Sequence, residues 1–295
     1  MISIIISSAD AAMLNDVTAN IAATIGAPYE LLAVDNSKGQ KGICTVYNEG
    51  IKKAKYDIVC FMHEDIIIQT QGWGNTLIRI FKDNPEIGLV GIVGGSYKPV
   101  APSGWGGLGV NNVYANIIQS YKHSDKEDLP YYRNPRDSKL EPVACVDGVF
   151  LASTKKIATE IPFDEVTFKG FHGYDLDFSL AVGQKYTVAV TFEILLKHLS
   201  EGSYSRSWME DNLILHKKWL EYLPVNVEGF SLKDCIYVEK FTFREFIKEM
   251  VKFGYPMSAT KAVLQQNKEK YMAMDRILYW KLQFYILKIY LKGDK

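Results

Sequence analysis

Three short apolar runs, each ending in a polar tip, constrain this chain more than any other feature. Ile2-Ser3-Ile4-Ile5-Ile6 runs into Ser7, Ser8 and Asp10; Leu31-Leu32-Ala33-Val34 runs into Asp35-Asn36-Ser37; Ile58-Val59-Cys60-Phe61-Met62 runs into His63-Glu64-Asp65. Continuous apolar blocks of this length read as buried strands of a parallel sheet. Helix-length stretches separate them, near residues 11–25 and 44–54. Gly26 and Pro28 stop the first helix, with glycine close to its end and proline just beyond. A further helix near 73–83 and a strand near 88–93 continue the alternation. Such alternation implies a mainly parallel central sheet with right-handed crossovers and flanking helices. Open sheets of this kind collect ligand chemistry just past the carboxyl ends of their strands. Asp10, Asp35 and Asp65 are therefore expected along one edge.

Residues 95–141 are rich in Gly, Pro, Tyr and polar groups and show little periodicity, as a long functional loop would. Regular structure is expected to return at Pro142–Ala152, a strand bent at Asp147-Gly148. A helix near Tyr174–Gly183 and a strand at Tyr186–Phe192 follow, and beyond His198 the pattern is helical. The reading is thus an α/β domain over 1–203 with a helical C-terminal extension over 204–295. Formal net charge is zero, which argues against nucleic acid as a partner. The zero conceals a division: the first 203 residues carry a net of −5 and the remainder +5. Cys44, Cys60, Cys145 and Cys235 form no C-x-x-C pair and read as small buried side chains in a reducing compartment, so the expected location is cytoplasmic. The N-terminal apolar run reads as a first strand and not as a signal peptide. No stretch supplies the roughly 20 apolar residues of a membrane span.

At the tip His63-Glu64-Asp65, strand alternation turns His63 and Asp65 the same way and Glu64 the other. Farther on stand Phe163-Asp164-Glu165 and Tyr174-Asp175-Leu176-Asp177-Phe178. In order and spacing, these motifs resemble the family 2 glycosyltransferases of the GT-A fold over roughly two-thirds of the chain. Ile2–Ser8 resembles that family's opening strand, and Leu32–Ser37 its second, whose terminal Asp holds the nucleotide. Gly42–Ala54, with Tyr47-Asn48-Glu49-Gly50-Ile51, resembles the helix before its metal motif. His63-Glu64-Asp65 stands where the family has D-x-D, and Tyr174-Asp175 where it has Glu-Asp.

The resemblance implies transfer of a sugar from a nucleoside diphosphate sugar to a hydroxyl, with inversion, on a growing or lipid-linked surface glycan. A diphosphate leaving group calls for a divalent cation, Mn2+ or Mg2+, held by oxygen ligands. Asp65 is the expected ligand, with His198 either completing the metal sphere or serving structure. Donor contacts are expected at Ser7, Asp35, His63 and Asp65; His63 addresses ribose or phosphate, or is a strand-end hydrogen-bonding residue. A metal-free mechanism stays open. Asp175 is the expected general base, because inversion needs a carboxylate to take the acceptor proton. Its alternative is a charge favoured by the helix N-terminus. Asp177, two helical residues on, does not share its face. Asp147 either lines the acceptor pocket or forms a turn. Because His63 replaces an Asp and Tyr174 a Glu, a nucleotide-sugar-binding or scaffold protein on the same fold is the alternative function. A nucleotidyltransferase is disfavoured, since residues 7–16 contain neither Gly nor Lys.

Gly104-x-Gly106-x-x-Gly109 has dinucleotide-fingerprint spacing but the wrong context: Pro99 and Pro102 precede it and no strand leads into a helix. With Trp105 it reads as a mobile lid over the acceptor. Trp105 or Trp73 would stack on a sugar or pack. The tail Arg276–Lys292 is an apolar helix with Lys281, Lys288 and Lys292 on one stripe. Such a helix is buried in the protein, buried in a homodimer, or laid on a membrane surface at the inner face.

Overall fold

In the computed structural model the chain divides into two compact units, one of Met1–Gly95 with Val113–Ser203, the other of Ser96–Asn112 with Tyr204–Lys295. The structure describes residues 1–121, 126–200, 202 and 205–292, with the side chain of Lys292 excepted. The first unit opens with β1 (Ile2–Ser8), α1 (Ala11–Thr24), β2 (Tyr29–Asp35), α2 (Ile43–Lys53) and β3 (Ile58–Met62). It continues through β4 (Ile66–Ile68), α3 (Trp73–Asp83), β5 (Ile87–Gly91) and β6 (Val93–Gly95). After β7 (Tyr97–Lys98), which belongs to the second unit, it resumes with β8 (Val113–Gln119), β9 (Leu129–Arg133), β10 (Leu140–Val143), β11 (Cys145–Val146) and β12 (Phe150–Thr154). It closes with α4 (Lys155–Glu160), α5 (Tyr174–Val182), β13 (Thr187–Thr191) and β14 (Leu196–His198).

The main sheet has seven strands in the order β10-β13-β5-β12-β3-β1-β2. β1 lies parallel between β2 and β3, and β13 runs parallel to β5, while β12 and β10 run antiparallel to their neighbours. The sheet is therefore mixed but mainly parallel, with helices around it. β1 and β3 sit inside it, and Ile2, Ile4, Ile5, Ile6 and all of β3 are buried. α2 lies so close over β1 that a Cβ at Gly50 would come 2.6 Å from Ile5, which explains a glycine in mid-helix. β2 is different. It is an edge strand, and none of its residues is fully buried. An apolar run alone does not say which strand ends the sheet.

A second sheet of the same unit runs β11-β6-β8-β14-β4, with β9 on β8. Two of its strands, β8 and β9, lie in the stretch read as a loop. Val113-Tyr114-Ala115-Asn116-Ile117 is interrupted by a polar residue, yet Asn116 is buried because its amide donates to the carbonyls of Phe192 and Ile194. The strand expected at Pro142–Ala152 is three pieces, with the Asp147-Gly148 bend between β11 and β12.

The second unit holds β7, α6 (Arg206–Lys218), β15 (Val225–Asn226), α7 (Leu232–Lys252), α8 (Met257–Gln266), α9 (Lys268–Met274) and α10 (Arg276–Lys292). Residues 96–112, placed in the first domain from sequence, are part of this helical unit: β7 pairs with β15, and Gly107 sits where a Cβ would clash with Val238 of α7. The glycine segment expected to form a lid is thus packed on α7 at Gly107, and at Gly109 against the Tyr237 ring.

Candidate active site

The tips of β1, β2 and β3 lie side by side, as the alternation requires. Their residues do different work. Asp10 caps α1, accepting from the N–H groups of Ala12 and Met13. Glu64 turns away from His63 and Asp65 and accepts from the N–H groups of Ala9 and Asp10 at 2.9 and 3.0 Å, which ties the β1 tip to the β3 tip. Asp65 precedes β4, and β4 pairs antiparallel with β14, with His198 opposite Ile66. The Leu199 N–H donates to the Asp65 carbonyl at 2.8 Å. That pairing brings together two residues far apart in sequence. His198 Nε2 lies 3.4 Å from Asp65 Oδ2, and His63 Nδ1 3.8 Å from Asp65 Oδ1. One donor atom from each of the three residues fits within 4.8 Å of the others.

The charges are tuned by these contacts. Burial opposes ionisation of Asp65, but the His198 and His63 imidazoles and the Ser200 hydroxyl, donating at 2.6 Å, hold its carboxyl well below the ordinary range. Burial works against the His198 cation too, and the Asp65 carboxylate overcomes it and raises that pKa. Burial lowers the pKa of His63, helped by His198 and opposed by Asp65. His63 is therefore the neutral imidazole of the group.

The Tyr174 hydroxyl ties this ring to the Asp147-Gly148 bend. It lies 3.1 Å from the Gly148 carbonyl, to which it donates, and 2.9 Å from His63 Nε2, a contact in which the donor depends on the imidazole tautomer. The next residue, Asp175, lies in the first turn of α5 and accepts from the Gly148 N–H at 3.1 Å. Burial, then the charge of Asp147, push its carboxyl up to about 7, against the backbone N–H groups around it. Asp147 accepts from the Val149 N–H at 2.9 Å within the bend, and its charge is felt by Asp175 and both histidines. One bend thus joins the His63–Asp65–His198 cluster to the Asp175 carboxyl.

The remaining expected residues divide. Asp35 is exposed at the β2 tip and accepts from the Ser37 N–H; Ser7 of β1 stands opposite Val34, its hydroxyl 3.4 Å from the Asn36 amide. Trp73 is fully buried, edge-on to Phe150 and bonded to Thr24, so it is a packing residue. Asp177 is buried on α5. Trp105 belongs to the second unit. Sequence reasoning missed Tyr174 and Ser200 as members of the site. Tyr174 stood in the quoted motif beside Asp175, but its partner Gly148 is joined to it only by folding.

The donor set suits a divalent cation. It comprises one low-pKa carboxylate and two imidazoles, a mixture that manganese accepts. His198 Nε2 is buried and faces the Asp65 carboxylate at 3.4 Å as an ion pair, with no hydrogen bond in good geometry among the described residues. A buried polar atom in that condition is one that a bound ligand would satisfy.

Residues 3–212 match the model of the glycosyltransferase like family, and the chain belongs to that family. No curated protein sequence matches it. Among solved structures, GalNAc-T7 with UDP, GalNAc and Mn2+ superposes with a TM-score of 0.52 at 10% identity, over 90% of this chain and 54% of that one. The mannosyltransferase PcManGT from Pyrobaculum calidifontis, in complex with GDP-Man and Mn2+, gives 0.49 at 11% identity, over 97% and 84%. The chain spans about half the length of the GalNAc-T7 chain. At that identity the likeness speaks for the fold, which is the GT-A fold of glycosyltransferases.

Proposed function

We propose that this chain transfers a sugar from a nucleoside diphosphate donor to a hydroxyl acceptor, with inversion, using Mn2+ or Mg2+. The observation that carries the reading is the coupling of two unlike groups through one bend: a cation-type donor set, His63–Asp65–His198, and a carboxyl pushed up to about 7, Asp175. Ser7 and Asp35 line the donor's nucleotide side in this reading, and Asp65 with His63 and His198 lies at its diphosphate. A divalent cation bound there offsets the charge that develops on the leaving phosphate. Asp175 takes the acceptor's proton as its oxygen bonds to the anomeric carbon and the carbon–phosphate-oxygen bond breaks. The electron pair of that bond leaves with the nucleoside diphosphate. A pKa near the working pH suits a base that must hold and release a proton each turnover. Asp147 faces the acceptor. The acceptor class is a growing or lipid-linked surface glycan, and four free, buried cysteines suit a reducing cytoplasm.

The test is a donor screen by thermal shift with and without manganese, followed by transfer and hydrolysis assays, since a ligand that binds only the folded chain raises its melting temperature. A metal-dependent shift with one nucleoside diphosphate sugar, and release of its nucleotide on adding acceptor, is the expected result. Binding without turnover on any acceptor would favour a nucleotide-sugar-binding protein. Asp65→Ala is expected to abolish the metal-dependent part of nucleoside diphosphate affinity in titration calorimetry, and Asp35→Ala to weaken binding with and without metal.

A further inference from the structure

One surface of the second unit takes no part in this reading. In α10, Leu278, Tyr279, Leu282 and Ile286 are buried, so one face of this helix packs within the protein. Ile277, Trp280, Phe284, Leu287 and Leu291 are 60%, 63%, 69%, 36% and 80% exposed. At 100° per residue these five fall within an arc of about 80° and extend about 21 Å along the helix. Lys281 and Lys288 are exposed and border that arc on one side. Lys292, the third lysine expected on this stripe, has its side chain outside the described residues. Next to the border, Arg244 of α7 lies over the Tyr285 ring at 4.3 Å. Lys240, Arg244, Lys281 and Lys288 share a groove of about 440 Å³ with Trp280 and Phe284.

We propose that this face docks on an anionic lipid membrane, with the α10 stripe in the acyl boundary and the four cations of the groove at the lipid phosphates. The charge pattern chooses the occupant. α10 carries basic residues and no acidic one. The acids of the adjoining part of α7, Glu245 and Glu249, are already paired with Lys248 and Lys252. A second copy of the chain, meeting this face with the same face, would set cations against cations. An anionic surface complements them, and long lysine stems let the ammonium reach headgroups while aromatic side chains sink beside them. No helix among the described residues is long and apolar enough to cross a membrane, so α10 lies on the surface and does not span it.

The experiment is sedimentation of the full-length chain with phosphatidylcholine vesicles, with and without phosphatidylglycerol, at low and high salt. The chain is expected to sediment with the anionic vesicles at low salt and to be released by high salt. Lys281→Gln with Lys288→Gln should weaken binding by roughly 25-fold, given about fivefold per lysine at such a surface. Trp280→Ser with Phe284→Ser should abolish it. Both pairs are exposed, so melting temperature should not move, and a fall in it would show that the face packs within the protein. Failure of the full-length chain to sediment with anionic vesicles at low salt overturns the proposal. So does equal binding to neutral vesicles, which would leave the cations without a role. A dimer that Trp280→Ser with Phe284→Ser converts to monomer, without any lipid binding, would make the face a subunit interface instead.

Discussion

Each unit of this protein buries a polar cluster, and the two are finished differently. In the second unit Glu239 is fully buried and accepts from the Tyr97 hydroxyl at 3.0 Å, the Val100 and Ala101 N–H groups at 2.8 and 3.1 Å, and the Tyr271 hydroxyl at 3.4 Å. Lys98, also fully buried, spends its protons on the Ser103 carbonyl, the Ser103 hydroxyl and His216 Nε2. Burial, then the Lys98 charge, keep His216 neutral, and its Nδ1 donates to the Val100 carbonyl. Both carboxylate oxygens of Glu239 and both nitrogens of His216 are engaged, and the network holds residues 97–103 to α6 and α7. In the first unit, His63, Asp65 and His198 are only partly buried, and His198 Nε2 meets Asp65 as an ion pair at 3.4 Å without a hydrogen bond among the described residues. The completed cluster is a fastener. The incomplete one has capacity left for a ligand, and that difference separates structure from site more clearly than residue type does.

The comparison can be broken by mutating both. Glu239→Ala strands two tyrosine hydroxyls and two backbone N–H groups, and urea denaturation is expected to show a loss of about 3–5 kcal/mol. Asp65→Ala also costs stability at neutral pH, because its carboxyl is held well below the ordinary range by His198 and Ser200, but it alone of the two should remove metal-dependent binding. Loss of metal-dependent binding at both positions, or at neither, would erase the distinction.

Within the site, Asp175→Asn keeps shape and removes the base. The transfer rate should fall about 100-fold or more with donor affinity little changed. Near-wild-type turnover would point to Asp147, since Asp177 is buried. The raised pKa adds a pH signature. Transfer should decline about tenfold per unit as pH falls below about 7, where Asp175 is protonated. For stability the sign is opposite. A carboxyl whose folded pKa stands above its ordinary 3.8 costs nothing while protonated in both states; the cost grows between 3.8 and about 7 and is complete above that. Asp175→Asn should therefore stabilise the fold at pH 8 by roughly 1–4 kcal/mol, with the gain gone below pH 4. A flat stability difference across that range would show that Asp175 is not held in a raised state.

The smallest expected effect tests the orientation of the imidazole. Tyr174→Phe removes the hydrogen-bond partner of His63 Nε2 and frees the ring to turn. Manganese affinity should fall roughly tenfold, the usual loss when an outer partner of a metal-binding histidine is deleted. Unchanged affinity would mean that packing against Phe171, whose ring centroid is 5.3 Å away, already fixes the imidazole.

Local pattern was enough for the parallel strands β1 and β3, for the helices α1, α2, α3 and α5, and for Asp65 at a strand tip. Apolar periodicity and stop signals act within a few residues, so a sequence displays them directly. It also separated Glu64 from His63 and Asp65, because side chains alternate along a strand. Pairing across the chain was hidden. Whether β2 is central or at an edge, whether Asn116 breaks a strand or bonds inside one, and whether residues 96–112 join the first unit or the second depend on partners far away in sequence. So does the site itself. His198 reaches Asp65 only because β14 pairs with β4, and Asp175 stands apart from ordinary carboxylates only because burial and Asp147 surround it. The sequence by itself determined which residues have the chemistry to act at a strand edge. Tertiary structure decided which of them meet, because hydrogen-bond register and burial are properties of neighbours brought together by folding.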